Sequence, residues 1–172
     1  MHTVEGTRRV TSCSSTNILE RPASFFSTPP EIGSRWRVLI VNAHASIREM
    51  IRIVLETHSD LIEVVGEASD GEEAIAQAQL YPLDLVLMDI HLSDMNSIDV
   101  TKQMRRALPQ LVIVGIAAEY SPLLYNAMSA AGAVAFVRTE DTADLLFRTI
   151  VFAMCAYHPA HAQAISVHAA AV

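Results

Sequence analysis

Between Trp36 and Ala156, short apolar runs alternate with stretches in which apolar residues recur every three or four positions. The first run, RVLIV (37–41), leads into Ile47, Met50, Ile51, Val54 and Leu55, which share one face of a helix. LIEVVGEA (61–68) alternates apolar and polar side chains as a half-buried strand does, and SDGEEAIAQAQLY (69–81) reads as a helix that Pro82 stops. LDLVLMD (83–89) is a third strand, followed by the polar loop IHLSDMN (90–96) and the helix SIDVTKQMRRAL (97–108), which Pro109 ends. LVIVGIAA (111–118) is a fourth strand, and Ser121-Pro122 opens a helix that runs up to Gly132. AVAFV (133–137) is the fifth strand and DTADLLFRTIVFAMCA (141–156) the last helix. Ser46 with Glu49, and Ser69 with Glu72, have the spacing of capping boxes at two helix starts.

Regular alternation with short connections predicts an α/β fold, a doubly wound five-stranded parallel sheet covered by helices on both faces. Parallel strands need crossovers, and those crossovers are right-handed. Ligand chemistry in such sheets gathers at the carboxyl ends of the central strands. That rule selects Asn42 and Ala43 after the first strand, Asp89 after the third, Ala117 after the fourth, and Arg138 and Thr139 after the fifth. No glycine-rich phosphate loop follows the first strand, so a dinucleotide fold has no support.

The chain has 172 residues, 51% of them hydrophobic, which suits one domain with tails. Residues 1–35 form a Ser/Thr/Pro-rich leader without sustained period and are expected to be disordered; residues 157–172 form a flexible Ala/His-rich tail. The alternative for Phe25 and Phe26, an amphipathic partner-binding role, is the less favoured reading of this arm. A net charge of −7 with only 12 Lys and Arg gives no footprint for a phosphate backbone, so no direct nucleic-acid binding is expected. The leader lacks the apolar core of a signal peptide and no run is long enough to span a bilayer, so the expectation is a cytoplasmic protein without membrane contact. Cys13 and Cys155 support neither a disulfide framework nor a zinc site. His158, His161 and His168 lack carboxylate or thiolate company and are read as tail rather than as metal ligands.

The segments VLIVNAHASIREMIRIVLE, IEVVGEASDGEEAIAQAQ, DLVLMDIHLSDMNSIDV, LPQLVIVGIAAE and AGAVAFVRTED together resemble the receiver domain of bacterial two-component response regulators, over about residues 37–156. The branch resembled is the one whose members usually carry a helix-turn-helix output domain, for which the sequence after the last helix is expected to be too short. The resemblance implies the flavodoxin-like, three-layer form of the fold and a phosphoryl transfer from a sensor histidine kinase to one aspartate, here Asp89. Positioning and charge stabilisation catalyse such a transfer, so the groups around the aspartate matter as much as the aspartate. By resemblance, the two acids that hold magnesium beside the acceptor fall on Asn42 and Ala43, and the phosphoryl-binding hydroxyl falls on Ala117. The lysine falls on Thr139; Arg138, one residue early and by strand alternation facing the other way, is read as a solvated edge arginine, with a swing inward as substitute cation as the alternative. The switch aromatic is kept as Phe136, Ser93-Asp94 stands at the usual Pro-Gly, and Asn96-Ser97 replaces the Asp-Gly that usually follows. A histidine at position 44 is ordinary in this branch and is read as packing the loop. An alanine cannot ligate a hard cation and an amide brings no charge, so no metal or other cofactor is expected.

Along the last helix Leu146, Ile150 and Ala153 form a core stripe, while Phe147, Val151, Met154, Cys155 and Phe152 spread apolar character further round. Phe147, Val151 and Met154 are the candidate interface, for a homodimer or a partner signalling protein. The expectation is an atypical receiver with impaired phosphorylation that works by protein contact. The alternatives are a conventional single-domain receiver phosphorylated on Asp89 as a phosphate sink or relay, needing Mg2+, and a small hydrolase with Asp89 as nucleophile.

Overall fold

A computed structural model of the protein describes residues 35–92 and 95–158. Cys13, Phe25, Phe26, the Ser93-Asp94 pair, His161 and His168 lie outside the described residues. The strands are β1 (Trp36–Val41), β2 (Ile62–Ala68), β3 (Leu85–Asp89), β4 (Val112–Ala117) and β5 (Ala135–Arg138). The helices are α1 (Ala45–Glu56), α2 (Gly71–Leu80), α3 (Ser97–Ala107), α4 (Pro122–Ala131) and α5 (Ala143–Tyr157). All strand pairs are parallel, in the order β2-β1-β3-β4-β5.

The sheet divides the core into two layers because side chains alternate along each strand. Leu39, Val41, Val86, Met88, Ile113 and Ala117 face α2, α3 and α4, where they meet Ala74, Ala78, Val100, Met104 and Met128. Val38, Ile40, Leu85, Leu87, Val114 and Ile116 face α1 and α5, against Ile51, Leu55, Ile150 and Ala153. Central strands buried on both faces read as continuous apolar runs, which is why β1, β3 and β4 stand out in the sequence. At the amino edge, Asp84 accepts hydrogen bonds from the Arg37 backbone N–H (2.8 Å), Nε (2.9 Å) and Nη2 (2.8 Å), tying the entry to β3 onto β1.

Of the two expected capping boxes, the one at α1 is absent and the one at α2 is displaced. Helix α1 starts at Ala45, with His44 at the N-cap and no side-chain cap, so Ser46 and Glu49 lie within the helix. Helix α2 is capped by Asp70, whose carboxylate accepts from Glu73 N–H, while Glu73 reaches back to the N–H of Ser69. The box has moved one residue because the Gly71-Glu72-Glu73 stretch supplies an acid at either position. Ser121 caps α4 and Gly132 ends it in the left-handed region (φ +119°), as the sequence predicts. Helix α5 ends one residue beyond the expected boundary, and its C-cap His158 contacts the Gln110 carbonyl through Nε2 (2.9 Å), so this histidine is packed against the α3–β4 loop.

Candidate functional site

Asp89 ends β3 and Asn42 directly follows β1, the neighbouring strand, which brings both to the carboxyl edge of the sheet. Asn42 Nδ2 donates to Asp89 Oδ2 at 2.7 Å, and the backbone N–H of His91 donates to Asp89 Oδ1 at 2.8 Å. Asn42 Oδ1 accepts from the His44 N–H at 2.8 Å, and this contact fixes the amide's orientation. The opposite orientation would set an NH2 group against the His44 donor and an oxygen against the carboxylate. Asn42 is 1% exposed and Asp89 9% exposed. Burial raises the Asp89 pKa above its usual value, opposed by the His91 N–H bond and by the charges of His91 and His44.

Arg48, one turn into α1, locks the turn from outside. Its Nη1 donates to the carbonyls of Asn42 (2.7 Å) and Ala43 (3.4 Å), and its Nε to Glu67 on β2 (3.0 Å). Arg52 holds the other oxygen of Glu67 through Nε at 2.6 Å. Burial alone would raise the Glu67 pKa, but the hydrogen bonds and charges of Arg52 and Arg48 outweigh it and the net shift is downward. Every backbone and side-chain polar atom of Asn42 is thereby used, since its own N–H donates to the Ala68 carbonyl.

The other sides of the site are hydrocarbon or turned away. Ala117 is 1% exposed and offers only a methyl group and its carbonyl, which accepts from Thr139 N–H at 2.8 Å. Arg138 is exposed, and its guanidinium pairs with Glu140 (2.5 Å) and Asp141 (3.5 Å), not with Asp89. Phe136 is half-buried on the α4 side and stacks on Tyr125 with ring centroids 4.4 Å apart. In the loop after Asp89, Ser97 Oγ donates to the Ile90 carbonyl at 2.7 Å and Asn96 caps α3.

The sequence profile described as the response regulator receiver domain matches residues 38–150, more than half of the chain. The chain belongs to this receiver family. Response regulator protein VraR of Staphylococcus aureus is 44% identical over 78 residues, covering 45% of this chain and 37% of VraR. The matched segment thus spans little more than a third of that curated relative's length. Among solved structures, the signal receiver domain of NarL from Mycobacterium tuberculosis matches with TM-score 0.66 and 23% identity, over 70% of this chain and 97% of that one. Chemotaxis response regulator CheY4 of Vibrio cholerae matches with TM-score 0.63 and 26% identity, over 70% and 99%. The CheY-like, flavodoxin-like architecture follows from these matches together with the strand order.

Receivers of this family are expected to hold Mg2+ beside the acceptor, and the residues of this receiver do not fit that ion. A hard divalent cation needs several oxygen ligands, preferably carboxylates. Here a donor nitrogen faces Asp89, the one amide oxygen is committed to His44, and position 43 carries a methyl group. Among the described residues no group of three or more His, Cys, Asp and Glu side chains could hold a metal ion.

The candidate interface on α5 needs correction. Met154 is wholly buried and unavailable for surface contact, while Phe147 and Val151 pack half-buried against the α1 side of the core. Phe147 also lies on His58, ring centroids 3.6 Å apart. The buried stripe is wider than the helix pattern suggests because both the sheet and His58, in the turn after α1, pack against α5. The large apolar groups exposed on this helix are Leu145, Phe152 and Tyr157. Sequence reasoning missed Arg48 and Gly115. Arg48 gives no spacing signal, since its partners are carbonyls and a strand Glu, whereas a lone glycine inside the apolar run VIVGIA marks a close approach.

Proposed function

We propose that this receiver no longer works as an efficient phosphoacceptor and transmits its signal by protein contact. The observation that carries the reading is the 2.7 Å hydrogen bond from Asn42 Nδ2 to Asp89 Oδ2. A neutral donor sits where a metal-bound acid would serve the acceptor, and it satisfies the carboxylate without an ion. Ala117 and Thr139 then remove the hydroxyl and the cation that stabilise a transferring phosphoryl group. The partner in this reading is a sensor histidine kinase or another signalling protein in the cytoplasm, with α5 as a second contact between two copies. No helix among the described residues is long and apolar enough to cross a membrane.

Retention of Asp89 at the end of β3 favours one alternative, a receiver phosphorylated slowly as sink or relay. Titration calorimetry with magnesium separates the two. The wild type should show no binding at millimolar magnesium, whereas Asn42→Asp with Ala43→Asp should create a site because each carboxylate adds charge beside Asp89. A site of micromolar affinity in the wild type would overturn the reading.

A further inference from the structure

Gly115 lies in the middle of β4, directly across from Phe136 on β5. Among the described glycines only Gly132 has positive φ, so the backbone at 115 would accept any residue; what glycine supplies is space. A Cβ there would lie 2.5 Å from Phe136 Cδ1 and 2.7 Å from Cε1, well inside contact distance, and 3.2 Å from Ile90 Cγ2. The Phe136 ring therefore lies flat over the strand in the volume a side chain would fill. Tyr125 of α4 closes the slot from above, its ring nearly parallel to Phe136 (12°), and Tyr120 meets Tyr125 edge-on at 5.0 Å. The Tyr125 hydroxyl is buried without a hydrogen-bond partner among the described residues, so the stack, not a polar contact, sets the position of this ring.

We propose that Gly115 is a slot that locks the Phe136 ring in one inward position under Tyr125, and that this position does not respond to the state of Asp89. The route between the two sites supports independence. Asp89 pairs in register with Ile116, Ile90 stands beside the Gly115 slot, and Ile90 and Ala117 belong to the core cluster on which Phe136 packs. Both are hydrocarbon, and neither can exchange a hydrogen bond when charge at Asp89 changes. The inference deepens the proposed function, because a face that does not respond to the acceptor is what a contact-driven receiver presents. It can also fail separately from that function.

The test places 4-fluorophenylalanine at position 136 and records fluorine spectra with and without magnesium and beryllofluoride. The lock predicts one Phe136 resonance in the wild type, with no second population in Asp89→Asn. It also predicts none in the Asn42→Asp/Ala43→Asp variant when beryllofluoride is bound. Gly115→Ala should evict the ring and give a new resonance; if that variant fails to fold, Tyr125→Leu removes the lid and should do the same. Two exchanging resonances whose ratio changes in Asp89→Asn or with bound beryllofluoride would overturn the lock, as would an unmoved resonance in Gly115→Ala. Protein-bound beryllofluoride has its own fluorine signal in the same spectra. Its appearance on the wild type would count against the proposed function while leaving the lock standing, so the two failures are distinguishable.

Discussion

Asn42 donates a hydrogen bond from its amide nitrogen to Asp89 while its amide oxygen caps the turn through His44, so one neutral side chain closes the carboxyl edge of β1 onto that of β3. This arrangement makes Asn42 a structural part of the edge, with consequences that differ from those of a solvated loop residue.

Replacing Asn42 alone with Asp should show this. The new carboxylate would face Asp89 at hydrogen-bond distance with no cation between them, and like charges so placed cannot both ionise without cost. The Asn42→Asp variant should lose about 1–3 kcal/mol of stability in urea denaturation at neutral pH without magnesium. Millimolar magnesium should restore part of the loss when Ala43→Asp is also present. Equal stability of wild type and Asn42→Asp in chelator would mean that the amide contact contributes nothing.

The raised pKa of Asp89 predicts a pH dependence of definite sign. A carboxyl with a folded-state pKa above its unfolded value holds its proton more tightly when folded. The stability this contributes is complete below the unfolded pKa of about 3.9 and is lost as pH rises through the folded-state pKa. The unfolding free energy of the wild type minus that of Asp89→Asn should therefore fall from acid pH upward and level off once Asp89 is ionised. Subtracting the variant removes the contribution of Glu67, whose lowered pKa acts in the opposite sense. Urea melts of both proteins across the acid range measure the difference, and a rise with pH would contradict the buried, desolvated carboxyl described here.

On α5, two phenylalanines five residues apart should behave differently. Phe147 is half-buried against the core and on His58, so Phe147→Glu should cost about 2–4 kcal/mol of stability. Phe152 is 70% exposed, and Phe152→Glu should change stability by no more than about 0.5 kcal/mol. If α5 joins two copies, that same substitution should weaken association about tenfold or more, since burying this ring is worth roughly 1.5–3 kcal/mol. Light scattering over a concentration series, paired with urea melts, reads both effects. A wild type that stays monomeric throughout would remove the α5 contact between copies from the account.

The order of elements and the edge residues could be read from the chain because strands buried on both faces appear as unbroken apolar runs, and each run ends at the sheet edge. Asp89, Asn42 and Ala117 fall at those ends for that reason. Local signals were less faithful. The Ser46–Glu49 spacing suits a capping box, yet Asn42, outside the helix, orders the turn instead, because its tie to Asp89 depends on a contact between residues far apart in the chain. Met154 escaped for a similar reason, since the width of a helix's buried stripe depends on what packs over it, and Met154 is wholly buried in the core on that face of the sheet. Arg138 stands at the right edge, but Glu140 and Asp141 lie close enough in the turn to draw its guanidinium away from Asp89.

Incubation of the purified protein with acetyl phosphate and magnesium, followed by intact-mass measurement, bears most directly on whether Asp89 has ceased to serve as an acceptor. The geometry around Asp89 predicts that the wild type keeps its unmodified mass, while the Asn42→Asp/Ala43→Asp variant gains at least a fraction carrying one phosphoryl group. Near-stoichiometric gain of one phosphoryl group by the wild type, abolished by Asp89→Asn, would contradict it.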